Sequence, residues 1–187
     1  MDNLARSKLL KTSLALILGL VVLNINYAFA EPNGISGYSG ENGSDCSDCH
    51  SGGSSPTANL IGAQTVSPGS VTSYTLTMVG GPANNSGLDV AASAGTIIDT
   101  NASGTRISNG ELVNSSPNAV SGGAISWTYD WQAPTTPGSY TFYAAVLSGD
   151  GNGGTSGDGT DTTSLQVTVV APTNHLLTAN FAGPTPG

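Results

Sequence analysis

The sequence predicts an all-β chain, an antiparallel β-sandwich of about seven strands with an immunoglobulin-like general architecture. Ile125, Trp127, Tyr129 and Trp131 alternate with Ser126, Thr128 and Asp130 in a run that ends at Pro134, the period-two signature of a strand with one buried face. After Pro137-Gly138, Tyr140, Phe142, Ala144 and Val146 repeat the pattern. No stretch beyond the N-terminal region carries the period of an amphipathic helix, and 26 Gly and 10 Pro supply turns between the extended runs.

Taken in order, Arg6, Lys8 and Lys11 precede an apolar run from Leu14 to Leu23 and the small-residue sequence Ala28-Phe29-Ala30. That reads as a secretory signal peptide over residues 1–30, cleaved before Glu31. The apolar run is short for a bilayer span, and an uncleaved anchor is the alternative. Either reading puts the protein outside the cytoplasm, in the periplasm or beyond. Glu31 to Pro56 is rich in Gly and Ser without hydrophobic periodicity and is expected to be loop-like around one motif, so that residues 31–58 form an N-terminal attachment segment. From Leu60 the pattern becomes that of strands, and residues 59–171 form the sandwich. In the run from Ser70 to Val79, Tyr74, Leu76 and Met78 share one face. Leu88 to Ala94 continues more weakly, the Trp127 run reads as a central strand, and Leu165, Val167 and Val169 belong to the last strand. Residues 172–187 are a tail that ends without an apolar stretch, so no anchor is expected after signal cleavage.

Three of the four basic residues lie in the signal region, which leaves Arg106 as the mature chain's only Lys or Arg against eleven acidic residues, Glu31 to Asp161. Such an anionic surface disfavours nucleic acid and anionic membranes as partners.

Chemistry concentrates in Cys46-Ser47-Asp48-Cys49-His50. Two thiols three positions apart suit thioether bonds to the two vinyl groups of one haem c, with the adjacent imidazole reaching the iron. In that reading Cys46 and Cys49 attach the haem and His50 is the proximal ligand. A thioredoxin-like redox pair would need a βαβ setting absent from the pattern. A zinc site of Cys46, Cys49, His50 and His175 would ask the adjacent Cys49 and His50 to ligate one small ion. A structural disulfide would close a tiny loop and leave His50 unexplained.

The sixth iron ligand has two candidates. His175, in Pro172-Thr173-Asn174-His175-Leu176, is the other histidine of the chain, set against the plain reading of an exposed tail residue. Met78 is the second candidate, set against a role in filling the core. Asp150-Gly151-Asn152-Gly153 with Asp158 and Asp161 offers oxygen ligands for calcium, but its spacing departs from the EF-hand and reads more simply as a Gly-rich hairpin loop. The NxS sequons at Asn42, Asn84, Asn101 and Asn114 mark surface loops.

The sequence resembles exported bacterial proteins of the choice-of-anchor V type, in which a CxxCH segment precedes a reelin-like β-sandwich. One stretch of the resemblance runs from Gly37-Tyr38-Ser39-Gly40 through Cys46 to His50 and Ser51-Gly52-Gly53 to the Pro68-Gly69 turn before Tyr74. The other runs from Trp127 through Pro134, Pro137-Gly138 and Phe142-Tyr143-Ala144-Ala145 to Asp158. The resemblance implies covalent haem at Cys46, Cys49 and His50. It also implies a histidine where this chain has Asn114, and a C-terminal anchoring segment, of which residues 172–187 show no apolar stretch.

The expected function is electron transfer by one haem per chain, with a redox partner protein that is itself a cytochrome. Protomers joined by His175 of one chain ligating the haem of the next would make a homopolymer. The alternative is an extracellular adhesion, matrix or sensory module with an incidental or five-coordinate haem. Haem peroxidase chemistry ranks last, because Arg106 is the only distal cation on offer.

Overall fold

The computed structural model describes residues 30–100 and 104–171. The expected signal peptide, the Asn101 sequon and the tail with His175 lie outside the described residues. Among the described residues, twelve strands follow a short 3-10 turn at Cys46–Asp48. They are β1 (Ser51–Gly52), β2 (Pro56–Gly62), β3 (Thr65–Val66), β4 (Val71–Gly80), β5 (Asn85–Ala92), β6 (Thr96–Asp99), β7 (Thr105–Ser108), β8 (Glu111–Asn114), β9 (Asn118–Ala119), β10 (Ala124–Gln132), β11 (Gly138–Gly149) and β12 (Ser156–Val169). Among the described residues no helix is long and apolar enough to cross a membrane.

The strands form two sheets packed face to face, the sandwich that the sequence predicts. The smaller has the order β2-β4-β10-β6; the larger runs β1-β12-β11-β5-β8-β7, with β3 beside β12 and β9 beside β5. Neighbours are antiparallel except β1 and β3, which both run parallel to β12. Between the sheets lie the residues that the alternation singles out, Tyr74, Leu76 and Met78 from β4, Trp127, Tyr129 and Trp131 from β10, Phe142, Ala144 and Val146 from β11, and Val167 and Val169 from β12. Leu165 packs at the core's margin.

Phe142 centres the aromatic cluster, with ring centroids 4.6 Å from Tyr74, 5.1 Å from Trp131 and 5.8 Å from Tyr129. Offset and edge-on contacts of this kind add to what burial alone contributes. The polar ends of the outer rings find partners, since Tyr74 Oη donates to the Ala63 carbonyl at 2.9 Å and Trp131 Nε1 to the Ala94 carbonyl at 3.0 Å.

β5 departs from simple alternation. All of its residues from Ser86 to Ala91 are buried. Leu88 and Val90 face the smaller sheet, so Gly87, Asp89 and Ala91 point the other way. The pairings Asp89 to Ala145, Gly87 to Leu147 and Asp89 to Val113 extend that second face across β11 and β8. Residues 31–50 cover it. Buried on both faces, β5 has no reason to alternate in hydrophobicity, and this is why it reads weakly in the sequence.

The covering segment is tied down residue by residue. Arg106 donates from Nε to the Asn33 carbonyl and from its guanidinium to the Gly34 carbonyl, each at 3.1 Å. Glu111 accepts from the Gly37 N–H. Asp89 Oδ2 accepts from the Tyr38 N–H at 2.7 Å. A tight reversal between Ser39 and Asp45 then turns the chain into the Cys46 turn.

Candidate haem-attachment site

The CxxCH motif winds a single turn. Asp45 caps it, its Oδ1 accepting from the Ser47 N–H at 2.6 Å. The Cys46 carbonyl accepts from the Cys49 N–H at 3.4 Å and the His50 N–H at 3.0 Å. Cys46, Cys49 and His50 therefore stand at i, i+3 and i+4 of one turn, the spacing that brings three side chains to one face.

Immediately after His50 the chain is stitched to the edge of the larger sheet. Ser51 pairs with Ser156 and Gly52 with Asp158. The Ser51 N–H donates to the Thr155 carbonyl at 3.0 Å and the Gly53 N–H to the Asp158 carbonyl at 2.9 Å. A Cβ on Gly53 would run into the Gly157 carbonyl, so only glycine permits this approach. The register sets His50 beside Asp158, with His50 Nδ1 2.7 Å from Asp158 Oδ2. Asp158 Oδ1 accepts from the Asp150 N–H at 2.9 Å.

Cys46, Cys49 and His50 line one hollow of about 190 Å³ whose walls include Ile35, Tyr38 and Leu147. A second hollow, of about 310 Å³, adjoins it through the shared residues Glu31, His50, Gly87, Asn114 and Leu147. Both open on the outer face of the larger sheet, away from the aromatic core.

The buried Asp89 carboxyl and the half-buried Cys46 thiol both line the first hollow. Burial, with the nearby Asp89 and Asp45 carboxylates, pushes the Cys46 thiol up to about 12. Burial also pushes Asp89 up to about 8, with Glu111 adding repulsion and the Tyr38 N–H partly offsetting both. Asp89 is 2 % exposed, and its Oδ1 has no hydrogen-bond partner.

These facts bear on the rival readings of the motif. A thioredoxin-like pair needs a lowered thiol in a βαβ setting, whereas Cys46 is raised and the surroundings are sheet. Cys46 and Cys49 are unpaired. Among the described residues no three His, Cys, Asp or Glu side chains are grouped to hold a metal ion. The aspartates that the sequence grouped as a calcium-like set are engaged within the protein, with Asp150 in the β11–β12 loop accepting from the Asn152 N–H at 2.9 Å and Asp161 on β12 from the Ala58 N–H at 2.8 Å. The loop is a hairpin connection.

Of the two candidates for a sixth ligand, Met78 takes the core-filling place that its strand position suggests. It is fully buried on the core face of β4 in the smaller sheet, with the larger sheet between it and the Cys46 hollow. Asn114 lines both hollows together with His50. Its Oδ1 accepts from the Leu88 N–H at 3.3 Å and its Nδ2 donates to the Pro32 carbonyl at 3.1 Å. Here it ties the covering segment to the sheet.

No family model and no curated protein matches this chain. Among solved structures, the PKD domain of an M14-like peptidase from Thermoplasmatales archaeon SCGC AB-540-F20 is similar at 18% identity and a TM-score of 0.36. The similarity covers 62% of this chain and 96% of that one. The sandwich architecture stands on the strand pairings themselves.

Sequence reasoning found Cys46, Cys49 and His50 because they are contiguous. It singled out Asp158 only as part of a calcium-like loop and passed over Asp89, which lies inside a weakly patterned strand. A lone carboxylate in an otherwise apolar run, Leu88-Asp89-Val90-Ala91-Ala92, was the signal available.

Proposed function

We propose that this chain is an exported mono-haem c-type cytochrome that transfers electrons, with Cys46 and Cys49 as the thioether attachment points and His50 as the proximal iron ligand. The observation that carries the reading is the convergence of all three side chains on one apolar hollow, with His50 Nδ1 held by Asp158. That hydrogen bond leaves Nε2 as the imidazole nitrogen free to ligate, the arrangement in which metal-bound histidines are commonly held.

The residues present fit the group. Two unpaired thiols stand a turn apart, the walls are apolar, and the lone Asp89 Oδ1 is a buried acceptor awaiting a donor. When bound, the haem would supply one-electron redox chemistry. The chain would orient the imidazole, exclude water on the β5 side and leave an edge open to a partner, for which another cytochrome is suited.

Pyridine haemochrome analysis of the chain expressed with haem-attachment machinery tests this. One covalent haem is expected per wild-type chain, and none in Cys46→Ala/Cys49→Ala. A wild-type chain carrying no covalent haem refutes it. For the sixth ligand, His175 in the same or a neighbouring protomer is our reading. An unchanged low-spin spectrum in His175→Ala, with monomers only, removes it.

A further inference from the structure

Resting on the haem reading above, we infer that Asp158 is the positioning residue that sets the donor strength of His50, holding the Nδ1 proton with a full negative charge and so biasing the iron toward the ferric state.

The pair is built, not incidental. The His50 and Asp158 side chains are 13% and 5% exposed, so water screens their interaction little. Asp158 cannot swing away easily, because its second oxygen accepts from the Asp150 N–H and its own carbonyl accepts from Gly53. Asp150 is braced in turn by the backbone and side chain of Asn152. His50 is held at both ends, by the Cys46 carbonyl on one side and by β1 on the other. Among the described residues no Lys or Arg competes for the carboxylate. Arg106, the one Lys or Arg among the described residues, is committed to the Asn33 and Gly34 carbonyls.

A carboxylate draws the Nδ1 proton more strongly than a neutral carbonyl would. Electron density at Nε2 rises, and a more basic nitrogen stabilises the more highly charged iron. A merely structural Asp158, bracketing the β11–β12 turn, predicts no such effect.

Asp158→Asn separates the two roles, because the amide oxygen keeps an acceptor in place while the charge disappears. In the holoprotein the ferric-to-ferrous ratio at fixed ambient potential should fall at least tenfold, a rise of about 59 mV in midpoint. Asp158→Glu should recover part of the shift. An unchanged midpoint in Asp158→Asn with haem attached overturns the inference while leaving the haem reading intact.

A readout independent of haem comes from the ring nitrogens of His50, measured by ¹⁵N NMR in the full haem-free chain carrying Cys46→Ala and Cys49→Ala. In the neutral ring, a proton on Nδ1 and a bare Nε2 are expected, with the preference lost in Asp158→Ala. Proton on Nε2 in the Asp158-containing chain overturns the pair. A wild-type chain without covalent haem removes the haem reading and the redox role together, and the ring nitrogens then report whether the pair itself exists.

Discussion

Asp89 carries a conflict that its neighbours only partly resolve. One oxygen takes the Tyr38 N–H, the other has no partner, and burial favours the protonated form. Folding therefore raises this carboxyl from 3.8 to about 8. Between those values the folded state holds a proton that the unfolded chain has released, so stability falls as pH rises, by about 1.4 kcal/mol per unit, and levels off above the upper value. Urea melts of Asp89→Asn should show that slope largely gone, with the variant the more stable protein at alkaline pH and near wild type in acid. The Cys46 thiol obeys the same physics with a different readout. In the haem-free native chain, iodoacetamide should label the exposed Cys49 first and Cys46 only on unfolding, since Cys46 is pushed up to about 12. The motif residues were legible because their chemistry is local. Asp89 and Asp158 were not, because each meets the attachment segment across 51 and 108 residues of sequence.

At the level of elements, strands with one buried face were legible, whereas the short strands and the polar first half of β12 were not. β4 and β10 alternate over 10 and 9 residues, enough repeats for the period to stand out. β6, β7 and β8 have 4 residues each, too few to separate a strand from a loop. β2 begins at Pro56, where the sequence still reads as loop, and is recognised as a strand by its pairing with β4 from Gly80 to Tyr74. β1 was invisible, since Ser51 and Gly52 carry no pattern and owe their conformation to β12. Gly53→Ala should detach this clip. Exchange of the Ser51 and Gly53 amides would quicken by a factor corresponding to about 1–3 kcal/mol, while amides of β4 and β10 would keep wild-type protection. Equal protection at Ser51 and Gly53 in the variant would show that the clip does not depend on that close approach.

The whole molecule divides its labour between the two faces of the larger sheet. One face supplies stability through the aromatic cluster, and the other carries the attachment segment. Phe142→Ala, at the cluster's centre and 1% exposed, should cost about 3–5 kcal/mol in thermal or denaturant unfolding. The strap made by β1 also fixes an order of events. Its partner is the last strand among the described residues, so during synthesis the motif emerges long before β12 exists to receive it. Until then nothing holds His50 against Asp158, and both thiols remain open to enzymes that act on extended chain. Arrival of the final strand closes that interval, and the closing of the sheet becomes the clock that limits how long the motif can be modified.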